Sequence, residues 1–284
     1  MIYNALTVDV EDYFQVNAFA NCVSRDHWCK FPLRVVENTL RILDMFDQLD
    51  VRATFFVLGW VADREGSLVK EIRRRGHEIA CHGYGHELVY EIGPARFRED
   101  ICRAKQILEG LIGEPVKGYR APSYSITGKS FWALDILIEE GFSYDSSIFP
   151  VYHDTYGVPD APRFPHLVKC QTGTIMEFPL TTYPLRLWNK ELRLPIAGGG
   201  YLRLLTAAIL QHGINSINRN ECQPAVLYFH PWEIDPDQPR IKAGLKSTFR
   251  HYLNLHSTEA KLRKIIGSVQ FTNMSEVLDR AIIP

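Results

Sequence analysis

Membrane-length apolar runs, paired cysteines and an excess of one charge are all missing from this 284-residue chain. Every apolar stretch falls well short of the roughly 18 residues that a membrane span needs, so no transmembrane segment is expected. The six cysteines, Cys22, Cys29, Cys81, Cys102, Cys170 and Cys222, form no CxxC pair and no compact framework. That spacing argues against a zinc ribbon or a disulfide scaffold and favours a reduced, cytoplasmic setting. No basic segment followed by an apolar stretch opens the chain, and no secretory signal is read. With 32 basic against 33 acidic residues the net charge is -1, so the overall field gives no reason to expect nucleic acid as a partner. No G-x-S-x-G elbow occurs, which weakens a serine-hydrolase reading. Gly198 to Gly200 lack the Lys-Ser/Thr of a phosphate-binding loop and read as a tight turn before a helix.

What is present is ordinary in bulk: 46% hydrophobic and 23% charged residues describe a globular chain. Strand-like apolar runs alternate with helical spacings. "RATFFVLGW" is followed by "SLVKEIRRRG", a helix whose last turn carries arginines and which Gly76 closes. "HEIACH", "ARFREDICRAKQILEGLIG", "VKGYRAPS", "KSFWALDILIEEG" and "YDSSIF" continue the rhythm. Such alternation predicts βα units around a parallel sheet. From about 150 to 200 it breaks into proline-rich chain, with "IMEFPL" and "ELRLPIAGGG" as strand excursions. It returns in "YLRLLTAAILQHG" and "PAVLYFHPWEI". No repeat or linker divides the chain, so residues 1–284 are expected to form one domain with a C-terminal extension from about 233.

The run "LTVDVEDYF" ends a buried-strand pattern in three carboxylates, Asp9, Glu11 and Asp12. Carboxylates are rarely buried unless paired, hydrogen-bonded or holding a metal. In a parallel α/β sheet, ligands bind at the carboxyl ends of strands, where the loops converge. The other expected strand ends carry His82 and His86, Arg120 and Tyr124, Asp145, and His230. A lone histidine there is most often structural. His82 and His86, however, flank the small turn "GYG", and with Glu11 or Asp12 they make two histidines and a carboxylate, a set used by catalytic zinc and by non-haem iron. "HEIACH" is not the zinc-protease HExxH, because Cys81 stands where the second histidine belongs. The aromatics Tyr13, Phe14, Trp28, Tyr84, Tyr124 and Trp232 suit packing and also the flat faces of sugars.

In order and spacing, "TVDVED", "TFFVLG", "HGYGH", "YRAPSYS", "YDSS" and "LYFH" resemble the motifs of the polysaccharide deacetylases, the family-4 carbohydrate esterases of NodB homology. The tail resembles the branch associated with exosortase-linked exopolysaccharide clusters. The resemblance implies a distorted (β/α) barrel with fewer than eight βα units and metal-dependent hydrolysis of N-acetyl groups from amino-sugar units of an exopolysaccharide or its precursor. It implies Zn2+, with Co2+ or Ni2+ as alternatives, an N-acetylated glycan as substrate, and association with exopolysaccharide synthesis machinery. Carried onto this chain, Asp9 would be the general base, held by Arg120. His82 and His86 would bind the metal together with Glu11 or Asp12. His230 would be the general acid, served by Asp145. The amide near Tyr124 would hold the oxyanion, and Trp232 would line the substrate site.

The chain departs from the commonest pattern in Asp9-Val10-Glu11-Asp12, where two adjacent aspartates are usual, in Gly83, where serine is common, and after Asp145, where Ser147 and Ile148 replace an aromatic. Two other readings compete: an amidohydrolase acting on a small cyclic amide or ureide, and a catalytically silent carbohydrate-binding barrel. A binding module needs neither the base nor the acid that Asp9 and His230 would supply.

Overall fold

A computed structural model describes residues 2–153, 155–187 and 190–280. Its strands are β1 (Asn4–Val10), β2 (Thr54–Val57), β3 (Glu78–Cys81), β4 (Gly118–Tyr119), β5 (Tyr144–Asp145), β6 (His166–Lys169), β7 (Thr174–Glu177), β8 (Thr182–Leu187), β9 (Lys190–Pro195), β10 (Val226–Phe229) and β11 (Phe271–Thr272). Its helices are α1 (Val35–Gln48), α2 (Gly59–Arg64), α3 (Gly66–Arg74), α4 (Val89–Ile112), α5 (Trp132–Glu139), α6 (Gly200–Leu204), α7 (Ala207–Ser216), α8 (Leu245–Tyr252), α9 (Leu255–Ile266) and α10 (Met274–Arg280). The main sheet runs β10-β1-β2-β3-β4-β5-β7-β6, with β11 added to β1. All of its pairings are parallel except β6 with β7.

The sheet curls into the distorted, incomplete barrel of the α/β class. Successive side chains of a strand point to opposite faces, and both faces of β1 are buried. Leu6, Val8 and Val10 join the outer core with Ile42, Leu43 and Phe46 of α1, whereas Ala5 joins an inner cluster with Phe56, Ala80, Tyr144 and Tyr228. Thr7 and Asp9 share the parity of Ala5, so the interior of the barrel is where the polar side chains of β1 lie. No strand ladder between β6 and β10 closes the barrel among the described residues. The free edge of β10 is covered instead by Thr181, whose hydroxyl takes the Val226 N–H at 2.6 Å, and by Ala197, whose carbonyl takes the Tyr228 N–H at 2.7 Å.

The triple glycine belongs to this seam. A Cβ on Gly198 would lie 1.8 Å from the Tyr228 carbonyl oxygen, and one on Gly199 would lie 2.5 Å from the Tyr228 hydroxyl. Only glycine lets the chain lie so close to β10 before α6 begins. The single helix expected over "YLRLLTAAILQHG" is instead α6 and α7, because Thr206 caps the second, accepting the Ile209 N–H at 3.4 Å. Within the stretch expected to hold strand excursions, β7 joins the main sheet beside β5, and β8 and β9 form a separate hairpin. The first and last strands pair, at Asn4 with Phe271 and Ala5 with Thr272.

Behind β2, His77 is buried between Phe46 and Phe55, with ring centroids 5.6 and 5.0 Å away. Its Nδ1 accepts the Ala53 N–H at 3.2 Å, and Nε2 has no partner. Burial drops its pKa to about 4. A histidine more acidic in the folded state stabilises fully above its unfolded pKa and loses that contribution as pH falls toward the folded value. Between pH 6.5 and 4 the fold should therefore lose roughly 3 kcal/mol through this residue. Urea titrations across that window should show a slope shallower by about one proton in His77→Gln than in the unsubstituted protein. Equal slopes would remove His77 as the cause.

Candidate metal and catalytic site

Two strand ends supply one cluster. β1 delivers Glu11, and β3 delivers His82 and then His86 across Gly83-Tyr84-Gly85. The turn is held from both sides. Asp100 on α4 accepts the N–H groups of Tyr84 at 2.7 Å and Gly85 at 2.9 Å, while Arg25 donates to the carbonyls of Gly85 at 2.6 Å and His86 at 2.9 Å. Gly83 has φ +71°, and a Cβ there would meet Asp100 Oδ2 at 2.7 Å, which explains why serine is not accommodated.

Among the described residues, Glu11, His82 and His86 form the group that could hold a metal ion, with their ligand atoms all within 4.8 Å of one another. His82 Nδ1 donates to the Arg120 carbonyl at 2.8 Å, which leaves its Nε2 as the lone-pair nitrogen. Burial lowers the pKa of His82 to about 4, so the ring is neutral, as a ligand must be. Burial alone would raise Glu11, but His86 and His230 outweigh it and bring its carboxyl down to about 2. Glu11 Oε2 is buried and has no polar neighbour to hold it except His86 Nε2, 2.7 Å away. An orphaned carboxylate oxygen beside two imidazoles fits a divalent cation, and three protein ligands leave a coordination position open.

Asp12 does not belong to this group. Its Oδ2 accepts the N–H groups of Arg34 at 2.8 Å and Val35 at 2.9 Å, so it caps α1. The expectation left Glu11 and Asp12 as alternatives; the chain turns after Val10, and the two side chains leave in different directions. Burial raises Asp12 to about 6 despite those amides.

Asp9 and His230 face the same cavity of about 210 Å³ as Glu11, His82 and His86. Arg120, fully buried, donates to Asp9 Oδ1 at 2.7 Å and to the Thr7 hydroxyl at 2.8 Å, and its guanidinium lies 4.1 Å from the Phe56 ring centre. Asp9 Oδ2 is left toward the cavity, 3.5 Å from the Tyr124 hydroxyl and 3.9 Å from His230 Nε2. His230 Nε2 also stands 3.6 Å from Glu11 Oε1. Burial would lower its pKa, yet Glu11 and Glu233 raise it to about 9.

Asp145 is not the partner of His230. It lies opposite Glu177 on β7 and accepts from the Ser147 hydroxyl at 2.5 Å. Burial raises both carboxyls, that of Glu177 most strongly because Asp145 lies beside it. The partner is Glu233, three residues after His230 on the same short 3-10 turn, whose Oε1 accepts from His230 Nδ1 at 2.6 Å. Glu233 Oε2 in turn accepts from Arg203 Nε at 2.7 Å. The signal for Glu233 was legible: His230-Pro231-Trp232-Glu233 has proline in the first turn and glutamate at the third position, a helix-start pattern. Nothing local marks Arg203, which comes from α6.

Two further expectations change. The Tyr124 amide is engaged by the Ala121 carbonyl at 3.0 Å; its hydroxyl and ring face the cavity instead. Trp232 is buried, stacked between His230 and His251 with centroids 5.2 and 4.1 Å away, and its Nε1 donates to Glu11 Oε1 at 3.2 Å. It orients the carboxylate more than it offers a face to a sugar. Tyr228, packed against Tyr124 at 5.1 Å, is a cavity residue that its strand pattern hid.

Comparison with known proteins agrees with this architecture. Residues 27–136 match the polysaccharide deacetylase family model, and residues 146–279 match a domain of unknown function, DUF3473. A Bacillus cereus peptidoglycan-N-acetylglucosamine deacetylase is 32% identical over 123 residues, 39% of this chain and 45% of that protein. The chain spans less than half the length of the first curated relatives it matches. Among solved structures, a Mycobacterium smegmatis protein assigned to the polysaccharide deacetylases superposes with a TM-score of 0.65 at 22% identity, over 98% of this chain and 89% of that one. An allantoinase superposes at 0.60 and 17% identity, over 98% and 90%. At these identities the superpositions show the fold alone. Over residues 27–136 the chain is therefore similar to the polysaccharide deacetylases, and it shares their fold.

Proposed function

We propose that the protein hydrolyses N-acetyl groups from amino-sugar units of an exopolysaccharide or its precursor. The observation that carries this reading is one cavity holding a candidate base, a candidate acid and a three-ligand cation site. Glu11, His82 and His86 would hold a divalent ion, with zinc preferred for its affinity for two imidazoles and a carboxylate. Bound there, such an ion supplies Lewis acidity and makes water a nucleophile near neutral pH. Asp9 takes the proton from the attacking water through Oδ2, since Arg120 occupies Oδ1. His230 gives a proton from Nε2 to the amine nitrogen as the carbon-nitrogen bond breaks, releasing acetate and a free amine. Glu233 fixes the proton on Nδ1, so that Nε2 is the nitrogen facing the substrate, and Arg203 holds Glu233. Tyr124 and Tyr228 line the sugar side.

The same reading takes residues 1–284 as one catalytic unit, supported by the pairing of β11 with β1. No described helix is long and apolar enough to cross a membrane, and all six cysteines are unpaired. Free thiols favour cytoplasmic work on a precursor, beside the machinery that makes the polymer.

Metal content separates the two carboxylates. Isothermal titration of the apo-protein with zinc should give one site, lost in Glu11→Gln and in His86→Ala. Asp12→Asn should keep that site, and Asp12→Ala should keep it too while losing about 1 kcal/mol of stability as α1 loses its cap. A folded Asp12→Asn protein without zinc affinity would overturn this assignment.

Acetate release from N-acetylglucosamine oligomers tests the chemistry. Asp9→Asn should lower kcat by about 10² to 10⁴, and Glu233→Gln by roughly 10² with KM and zinc content unchanged. Asp145→Asn should leave the response of kcat to pH unaltered. Absence of acetate from folded, zinc-loaded protein, with turnover of allantoin instead, would transfer the site to small-amide hydrolysis.

A further inference from the structure

Helix α8 turns the wrong side outward. Three of its uncharged polar residues are tied to the protein: His251 is buried and its Nε2 donates to Gln238 Oε1 at 2.7 Å, the Thr248 hydroxyl donates to the Ala243 carbonyl at 3.3 Å, and the Tyr252 hydroxyl accepts the Ile241 N–H at 2.8 Å. Its two large apolar residues face solvent. Leu245 is 91% exposed and Phe249 65% exposed. At i and i+4 they stand one above the other on the same face. A helix on a soluble protein ordinarily buries that stripe.

The charges around this stripe have one sign. Arg240, Lys242, Lys246 and Arg250 are all exposed, and no Asp or Glu occurs from Gln238 through Thr258. The next acid, Glu259, is taken by Arg41 and Arg263. The chain as a whole is nearly neutral, so this is a local concentration rather than a reflection of composition. Exposed leucine and phenylalanine between lysines and arginines match an anionic bilayer, where apolar side chains enter the acyl boundary and cations meet headgroups. A purely polar partner would not need Leu245 and Phe249, and an apolar partner would not need the cations.

We infer that α8 is a lipid-docking element, which seats the protein on an anionic membrane surface through Leu245 and Phe249 with Lys242 and Lys246 beside them. Arg250 and His251 of the same helix line the cavity that holds Asp9 and His230. Docking therefore brings the mouth of that cavity to the bilayer, where a glycan carried on a lipid or emerging from a membrane enzyme would be presented. The inference stands on the surface of the molecule and is independent of the reaction assigned above.

Co-sedimentation of the full chain with vesicles tests it. Vesicles of equal parts phosphatidylcholine and phosphatidylglycerol should bind the protein, in a salt-sensitive manner, and phosphatidylcholine alone should not. Lys242→Gln with Lys246→Gln should weaken partitioning by about 30-fold, from roughly fivefold per cation. Leu245→Gln with Phe249→Gln should weaken it by about tenfold at unchanged salt dependence. All four substitutions should leave Tm, zinc binding and acetate release from soluble oligomers as they were. Failure of the unsubstituted protein to bind the mixed vesicles would overturn the inference, as would lipid-free self-association abolished by Phe249→Gln. Either result leaves acetate release standing, and loss of acetate release leaves vesicle binding standing.

Discussion

The barrel is organised around one ion pair whose guanidinium water cannot reach. Arg120 is 0% exposed, and an isolated guanidinium in such a place would be prohibitive. It is tolerated because every direction is answered: Asp9 and Thr7 on one side, the Ser146 carbonyl and hydroxyl on the other, the Phe56 ring across its face. The backbone of the same residue does a second job. Its carbonyl receives His82 Nδ1, and its N–H binds Cys81, so the position of a candidate ligand and that of a candidate base are set by one residue. Removing either charge of such a pair leaves the other buried, at a cost of roughly 3 to 5 kcal/mol. The orientation of Asp9 and the integrity of the barrel are therefore one property.

A second chain of contacts holds the opposite wall. Arg203 spans from α6 to the turn after β10 and to the backbone of α8, so Glu233, His230 and the cavity rim move together. The residues of this wall come from the segment that matches a domain of unknown function, whereas His82, His86 and Arg120 come from the deacetylase segment, and Asp9 and Glu11 precede it. Neither matched segment contains a complete site. The C-terminal half is in this sense part of the candidate site rather than an appendage to it.

Much of this was written in local patterns. Alternation of strands and helices announced a parallel sheet, and the ends of those strands announced the rim. The turn "HGYGH" announced two imidazoles facing one point. What failed to show was set at longer range or by one-residue differences in direction. Glu11 and Asp12 are adjacent and chemically alike, and only the departure of the chain after Val10 sends one to the histidines and the other to the amides of α1. Asp145 had the right residue type at a strand end, but β7 places Glu177 directly across from it, an adjacency that no local pattern encodes. Arg203 is joined to Glu233 across thirty residues by packing alone. Strand β9 was legible as the excursion "ELRLP", whereas β8 and the helix α8 arose from proline-rich and glycine-punctuated chain whose periodicity was too short to read.

The seam beside β10 has a consequence for how such a site can change. Because β10 meets Thr181 and Ala197 rather than another ladder strand, this side of the barrel is fastened by a hydroxyl and a few single hydrogen bonds. A ladder would forbid insertion, since one added residue reverses every side chain beyond it. A fastened seam does not. Chain between Thr181 and Ala197 can lengthen or shorten while β1 to β4 keep their register, so the breadth of the opening is free to diversify without disturbing the candidate site residues. A different occupant of the cavity is accommodated by tailoring a clasp instead of rebuilding a frame.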